Sequence, residues 1–318
     1  MQKTLNKKEN IFFNTKKSHL SLLVFLISLV ILIAIFGVGC AFDLEICHAF
    51  WDGLGHQEKL GRAVSGILSN VQFFFIDSII ISFAIASISY WNKNKLYPIL
   101  SFVLAIAAGM FLSYFQKECF QSEIEKLGAS ADLAWWIMAL TWVVTWSGAF
   151  CFSWLFISRR VDNKLMVRAG LFLILGSVLV TAGNNYFWKF VWSRPRPTAV
   201  LKGDVDFRPV WELHPFECFN TSVPYAKDLK SFPSGLVSGA AVFLIVVVGL
   251  TSLDVFKTKK TKNIYLYLSM GFMIIIAIAR MIAACHFLTD VTAAAITGLV
   301  IAYFMPWCYK RNNGNLLW

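Results

Sequence analysis

Apolar runs long enough to cross a bilayer recur along this chain, and they leave little room for any other architecture. Ser21 to Gly39 is one, and Leu236 to Leu250 with its flanks is another. Further runs lie at about 71–90, 97–115, 132–157, 167–188, 264–284 and 287–307. A span needs about 20 residues at roughly 1.5 Å rise each, with its backbone polar groups satisfied inside the helix. The expected fold is therefore all-α: a polytopic membrane protein of eight transmembrane helices. Hydrophobic residues make up 58% of the 318 and charged residues only 15%, which excludes an ordinary soluble domain.

The basic residues suggest an orientation. Lys3, Lys7, Lys8, Lys16 and Lys17 precede the first run, and Lys93 and Lys95 follow the second. Arg159, Arg160, Lys164 and Arg168 separate the fourth and fifth, and Lys257, Lys259, Lys260 and Lys262 the sixth and seventh. Lys310 and Arg311 follow the last. With eight spans all these segments share one side, which the positive-inside rule makes the cytoplasm. The alternate loops carry Asp43, Glu45 and Asp52, or Glu118, Glu123 and Glu125. Both termini are then cytoplasmic. The net charge of +11 reflects topology and attraction to anionic headgroups, so no nucleic-acid partner is expected. The first run ends in Gly37-Val38-Gly39-Cys40, loosely like a leader, but it is long for one and reads as an uncleaved anchor. Cys40, Cys47, Cys119 and Cys218 fall on the outer side, where a Cys47–Cys119 or Cys119–Cys218 bridge is an open expectation.

Three polar clusters interrupt the apolar pattern at run ends that this topology sends outward. Lys189 opens the segment Lys-Phe-Val-Trp-Ser-Arg-Pro-Arg-Pro, in which Pro195 and Pro197 hold their predecessors extended. Arg194 and Arg196 then alternate in direction, one toward a site and the other toward solvent or headgroups. Arginine suits two-pronged contacts with phosphate oxygens, and lysine acts as a point charge. Ser231-Phe-Pro-Ser-Gly235 comes next, with Pro233 before a helix, Ser234 as a candidate N-cap and Gly235 without a side chain. The free N–H groups of such a start bind anions. The third cluster is Arg280, His286 and Asp290, the last two four residues apart. A carboxylate on one imidazole nitrogen sets the tautomer and leaves the other nitrogen free to attack. Each cluster alone has a bland reading: a basic collar, a capped helix, a structural pair. Together they suit an anionic phosphoryl group attached to a lipid.

The run from Lys189 to Arg196-Pro197, then Pro233-Ser234-Gly235, then Arg280 with His286 and Asp290 resembles the three-part signature of the type 2 phosphatidic acid phosphatase family. These are membrane lipid phosphatases related to haloperoxidases and bacterial acid phosphatases. The resemblance covers about residues 96–308 and implies a six-helix core in 96–318. Residues 1–95 would then hold the N-terminus and an added hairpin. It further implies His286 as nucleophile, Asp290 as its orienting partner, and Lys189, Arg196, Arg280, Ser234 and the Gly235 amide around the phosphoryl oxygens. No metal or cofactor is implied.

Position 236 departs from that signature. A histidine follows Pro-Ser-Gly in the family and protonates the leaving oxygen, whereas this chain has Leu236. Loss of general-acid help typically costs about 10²–10⁴ in rate. Three readings stay open. The leaving group departs unaided, as phosphate from a polyprenyl diphosphate would; or His214, Asp228 or Glu217 from the 198–230 loop reaches in; or the chain is catalytically disabled. The leading expectation is a lipid phosphate phosphatase. The alternatives are phosphoryl or phospho-headgroup transfer to a lipid acceptor, and non-catalytic phospholipid binding or transport. The expected partners are a phosphorylated lipid and the membrane, a bacterial inner membrane with the site outward, and no obligate protein partner. Trp188, Trp192 and Trp211 suit the headgroup interface.

Overall fold

A computed structural model describes residues 15–50, 60–64, 67, 78, 82, 99–100, 102–104, 107, 130–158, 174–181, 183–223, 225–252 and 258–311. Every regular element among them is helical, as expected for an all-α chain. Helix α1 (Thr15–Phe50) is followed by α2 (Ala131–Ser158) and, after a helical stretch at 174–181, by a π-helical turn at Gly183–Trp188. Two short helices come next, α3 (Lys189–Trp192) and α4 (Pro197–Leu201). The long helices α5 (Gly235–Ser252), α6 (Lys259–Ile282) and α7 (Leu288–Arg311) complete the chain.

Helix α7 packs between α1 and α5, and α5 also packs on α6. Small residues permit this closeness. A Cβ on Gly298 of α7 would fall 2.2 Å from the Ala241 Cβ of α5, and one on Gly39 of α1 would fall 3.0 Å from the Thr289 nitrogen of α7. Further along α1, Phe25 stacks on Tyr303 with ring centroids 3.9 Å apart. The core lies mainly on α5, α6 and α7, where Val237, Ala241, Ile245, Ile276, Val291 and Ala294 join Phe150 and Val180. Helix α6 starts on Thr258, whose hydroxyl accepts from the Thr261 amide at 3.1 Å.

The expectation of eight transmembrane helices, six of them forming the core, is overturned. Among the described residues two helices are long and apolar enough to cross a membrane, Leu22–Phe50 and Lys260–Ile282. Gly235–Val248 and Leu288–Phe304 are apolar but shorter. A hydropathy window counts residues, whereas the chain divides them. The run at 167–188 passes into π-helix at Gly183, and the runs at 71–90 and 97–115 lie mostly outside the described residues. The first run also ends later than expected. Gly39 does not terminate α1, which continues through a kink at Phe42 to Phe50 and so takes Asp43 and Glu45 out of the expected loop. Both qualifying helices expose apolar side chains, including Leu23, Val30 and Ile31 of α1 and Tyr267, Leu268 and Ile274 of α6.

Cys40, Cys47, Cys218 and Cys285 are free thiols, and Cys119, the bridging partner considered for Cys47 and Cys218, lies outside the described residues.

Candidate active site

The three clusters converge where the start of α5, the end of α6 and the start of α7 meet α3 and α4. His286 is not yet on α7, which begins at Leu288, so its approach to Asp290 comes from a loop rather than from helical periodicity. That loop turns at Ala284, a non-glycine residue in the left-handed region with φ 48°. The turn is anchored by the Cys285 amide on the Arg280 carbonyl at 3.1 Å and by the Thr198 amide on the Ala284 carbonyl at 2.9 Å. Gly61 permits a close backbone approach here too, since a Cβ on it would lie 2.4 Å from the Ala283 nitrogen.

His286 is buried, with Nδ1 3.7 Å from Oδ2 of Asp290. Burial, outweighing the nearby Asp290 carboxylate, holds the imidazole well below its usual pKa, with Arg280 and Lys189 acting in the same direction as burial. The ring is therefore neutral near pH 7, the form in which a nitrogen lone pair is available. The Asp290 side chain is fully buried, and its oxygens are held from three sides. Oδ1 accepts from Arg194 Nη1 at 2.7 Å, while Oδ2 accepts from the Ser231 hydroxyl at 2.5 Å and the Phe287 amide at 2.9 Å.

Arg194 turns inward completely. Its guanidinium lies 4.3 Å from the Phe287 ring centroid and 5.6 Å from that of Phe207, and its Nε donates to the Arg208 carbonyl at 2.9 Å. The second terminal nitrogen, Nη2, meets Asp43 Oδ2 of α1 at 3.0 Å. Arg196 is half-buried and extended, with ψ 146° ahead of Pro197, and its amide donates to the Asp228 carbonyl at 2.9 Å. Its buried Nε has no hydrogen-bond partner among the described residues.

Lys189 and Gly235 face each other. A Cβ on Gly235 would lie 3.2 Å from Lys189 Nζ and 2.1 Å from Asn185 Oδ1, so any larger residue would fill this cradle. Burial lowers the Lys189 pKa to about 8, with Arg196 and Arg280 adding repulsion. Ser234 serves differently than expected. Its hydroxyl is buried without a hydrogen-bond partner among the described residues instead of capping α5, and its amide donates to the Asp290 carbonyl at 3.0 Å. Lys189 and Arg280 thus act electrostatically on His286, and Arg196 on Lys189, beside the start of α5.

The candidate substitute acids are differently engaged. Glu217 accepts two bonds from Arg208, at 2.5 and 3.0 Å, and that pairing lowers its pKa, so it is ionised at neutral pH. His214 is part-exposed, with Nδ1 3.4 Å from Glu217 Oε2 and Nε2 3.8 Å from Glu212 Oε2. Asp228 is half-buried, and its backbone, not its carboxylate, holds Arg196. Leu236 packs against the apolar core with its α5 neighbours.

Five residues near the site had no assigned role in the sequence: Asp43, Asn185, Arg194, Ser231 and Thr289. Asp43 carried the clearest signal. An acidic residue in a long apolar run is a functional candidate by default, but a run taken to end at Gly39 turns it into a loop charge.

These features define an all-helical protein with a buried histidine–carboxylate pair beside converging cations and a glycine-lined helix start. Residues 165–314 match the family model of the PAP2 (type 2 phosphatidic acid phosphatase) superfamily. The similarity is to a family of lipid-phosphatase-like function. No curated protein and no solved structure matches the chain.

Proposed function

We propose that this protein hydrolyses a phosphorylated membrane lipid without a metal, through a phosphohistidine on His286. The observation that carries the reading is the buried His286–Asp290 pair beside Lys189, Arg196 and Arg280. In the first step Nε2 of His286 forms a bond to phosphorus while the bond from phosphorus to the leaving oxygen breaks. Asp290, facing Nδ1, stabilises the imidazolium character that develops. Lys189, Arg196, Arg280, Ser234 and the Gly235 amide bind the phosphoryl oxygens, supplying the charge stabilisation a metal gives elsewhere. Water then cleaves the P–N bond and releases phosphate.

The leaving group follows from position 236. Leu236 offers no proton and packs with the core, and Glu217 is held as a carboxylate by Arg208. A leaving group stable as an anion suits such a site, which favours a lipid diphosphate such as a polyprenyl diphosphate over an alkyl monoester such as phosphatidate. Non-catalytic phospholipid binding is the second reading, favoured by Leu236 alone.

Helices α1 and α6 both begin among lysines, Lys16 and Lys17 or Lys259, Lys260 and Lys262. Their far ends carry Asp43 and Arg280, beside the site. The positive-inside rule then favours an integral membrane protein with a cytoplasmic N-terminus and an outward site.

The test is phosphate release by the detergent-solubilised full chain from a polyprenyl diphosphate and from phosphatidate, with His286→Ala as control. The expected result is release from the diphosphate, lost in the control. Release that survives His286→Ala, or binding of both lipids with turnover of neither, overturns the hydrolase reading.

A further inference from the structure

Asp43 lies far from the signature in sequence, yet its carboxylate reaches the group that holds the catalytic pair. Oδ1 accepts from the Thr289 amide at 3.1 Å, at an N–H left free by the first turn of α7, and Oδ2 accepts from the Thr289 hydroxyl. The same Oδ2 meets Arg194 Nη2 at 3.0 Å. Arg194 Nη1 in turn donates to the Thr289 hydroxyl at 2.7 Å and to Asp290 Oδ1 at 2.7 Å. Arg194, Thr289 and Asp290 are at most 1% exposed and Asp43 only 3%, so water screens these charges little.

The charges decide what such a cluster does. A lone Arg194 beside Asp290 would cancel the carboxylate that is to support a positive ring on His286. A second carboxylate on the far side of the guanidinium leaves the trio with one net negative charge. It also shares the pull of Arg194, which otherwise falls on Asp290 alone. We propose that Asp43, delivered by α1, is a positioning residue that sets the charge and aim of the His286–Asp290 pair through Arg194 and the first turn of α7. This rests on the reading of His286 as the reacting group, and it makes the N-terminal helix a working part of the site.

The sign of the effect separates this role from simple packing. Lys189, Arg280 and Asp290 also face His286, and the variants below leave them in place. Neutralising Arg194 makes the surroundings of His286 more negative and should raise its titration. Neutralising Asp43 in addition should bring it back down, because the trio returns to one net negative charge. A merely structural role would loosen the cluster further in the double variant and move the titration the same way again.

The experiment uses full-length protein labelled with ¹⁵N-histidine in lipid nanodiscs, with the His286 signal assigned by its loss in His286→Gln. We expect Arg194→Gln to move the His286 midpoint up and Arg194→Gln with Asp43→Asn to return it toward the parent position. A double variant that titrates with or above the single one overturns the proposal. This readout needs no turnover, so it stands apart from failure of the hydrolase reading. Where the chain turns over, Asp43→Asn alone supplies a second measurement that needs no change at Arg194. Its kcat should fall by about 10²-fold, the scale of an ångström-level misplacement. KM and inhibition by orthophosphate should stay within about threefold, since the phosphate-binding groups are unchanged. An unchanged kcat, or a loss carried wholly by KM, overturns the proposal.

Discussion

The backbone amide of Ser234 donates to the carbonyl of Asp290 at 3.0 Å, tying the start of α5 to the first turn of α7. The turn proposed to bind the anion and the carboxylate that faces His286 are therefore tied to each other. Side chains on α3 close the same space, because Lys189 lies against the bare α-carbon of Gly235.

Gly235→Ala should consequently damage binding before chemistry. Its Cβ would lie 2.1 Å from Asn185 Oδ1 and 3.2 Å from Lys189 Nζ, so both side chains must retreat. We expect the inhibition constant for orthophosphate to rise about tenfold, worth roughly 1.4 kcal/mol, with unchanged circular dichroism. Unaltered phosphate inhibition would mean that this cradle is not where the anion sits.

Lys189 sets the expected alkaline limit. Its pKa is lowered to about 8, so the charge proposed to bind phosphate is present below that pH and is lost as pH rises through it. Stability runs the other way. Between about 8 and 10.5 the unfolded lysine binds more protons than the folded one, so folding is favoured by raising pH there. Activity should thus decline above about pH 8 while the protein stays folded, and Lys189→Arg, always charged, should shift the decline upward. A pH profile with simultaneous tryptophan fluorescence checks both. Loss of activity that coincides with unfolding would remove Lys189 as its cause.

Much of the candidate site could be read in the sequence because its polar residues sit in short segments. The 189–197 run, Pro233-Ser234-Gly235 and the 280–290 segment identify their own cations and turn residues, and prolines at 195 and 197 fix the local backbone. What joins these segments was not legible. Arg194 and Arg196 look alike in an extended stretch, and only packing against Phe287 and Asp43 turns Arg194 inward. Helix ends misled for a similar reason. Gly39 reads as a stop by local propensity, but it serves close packing against Thr289, so α1 continues and carries Asp43 to the site. Hydropathy counted eight runs because it does not register breaks such as the π-helical turn at Gly183–Trp188.

Chelation should leave the reaction intact. In the proposed reaction Lys189, Arg196 and Arg280 supply the positive charge that otherwise falls to a divalent ion; Lys189 and Arg280 act on His286, and Arg196 on Lys189. Dialysis against EDTA is expected to change the rate by less than about twofold, within what positioned cations can sustain. A large loss restored by Mg²⁺ would contradict the proposed chemistry.

Installing histidine at position 236 tests the leaving-group argument most directly. The substitution should raise the rate on an alkyl monoester by about 10²–10⁴, the usual worth of a general acid. The gain on a diphosphate should be far smaller, because the lipid monophosphate departs with little protonation. Leu236 packs against the core, so the polar ring carries a second effect, a stability loss of about 1–3 kcal/mol, visible as a lower Tm. If the variant folds, accelerates the monoester and spares the diphosphate, the parent chain is an enzyme matched to a good leaving group. If activity emerges only in the variant and on both substrates, the parent chain binds its lipid without turning it over. Equal rates for parent and variant on both substrates would mean that position 236 does not face the leaving oxygen, and the preference argued for a diphosphate would fall.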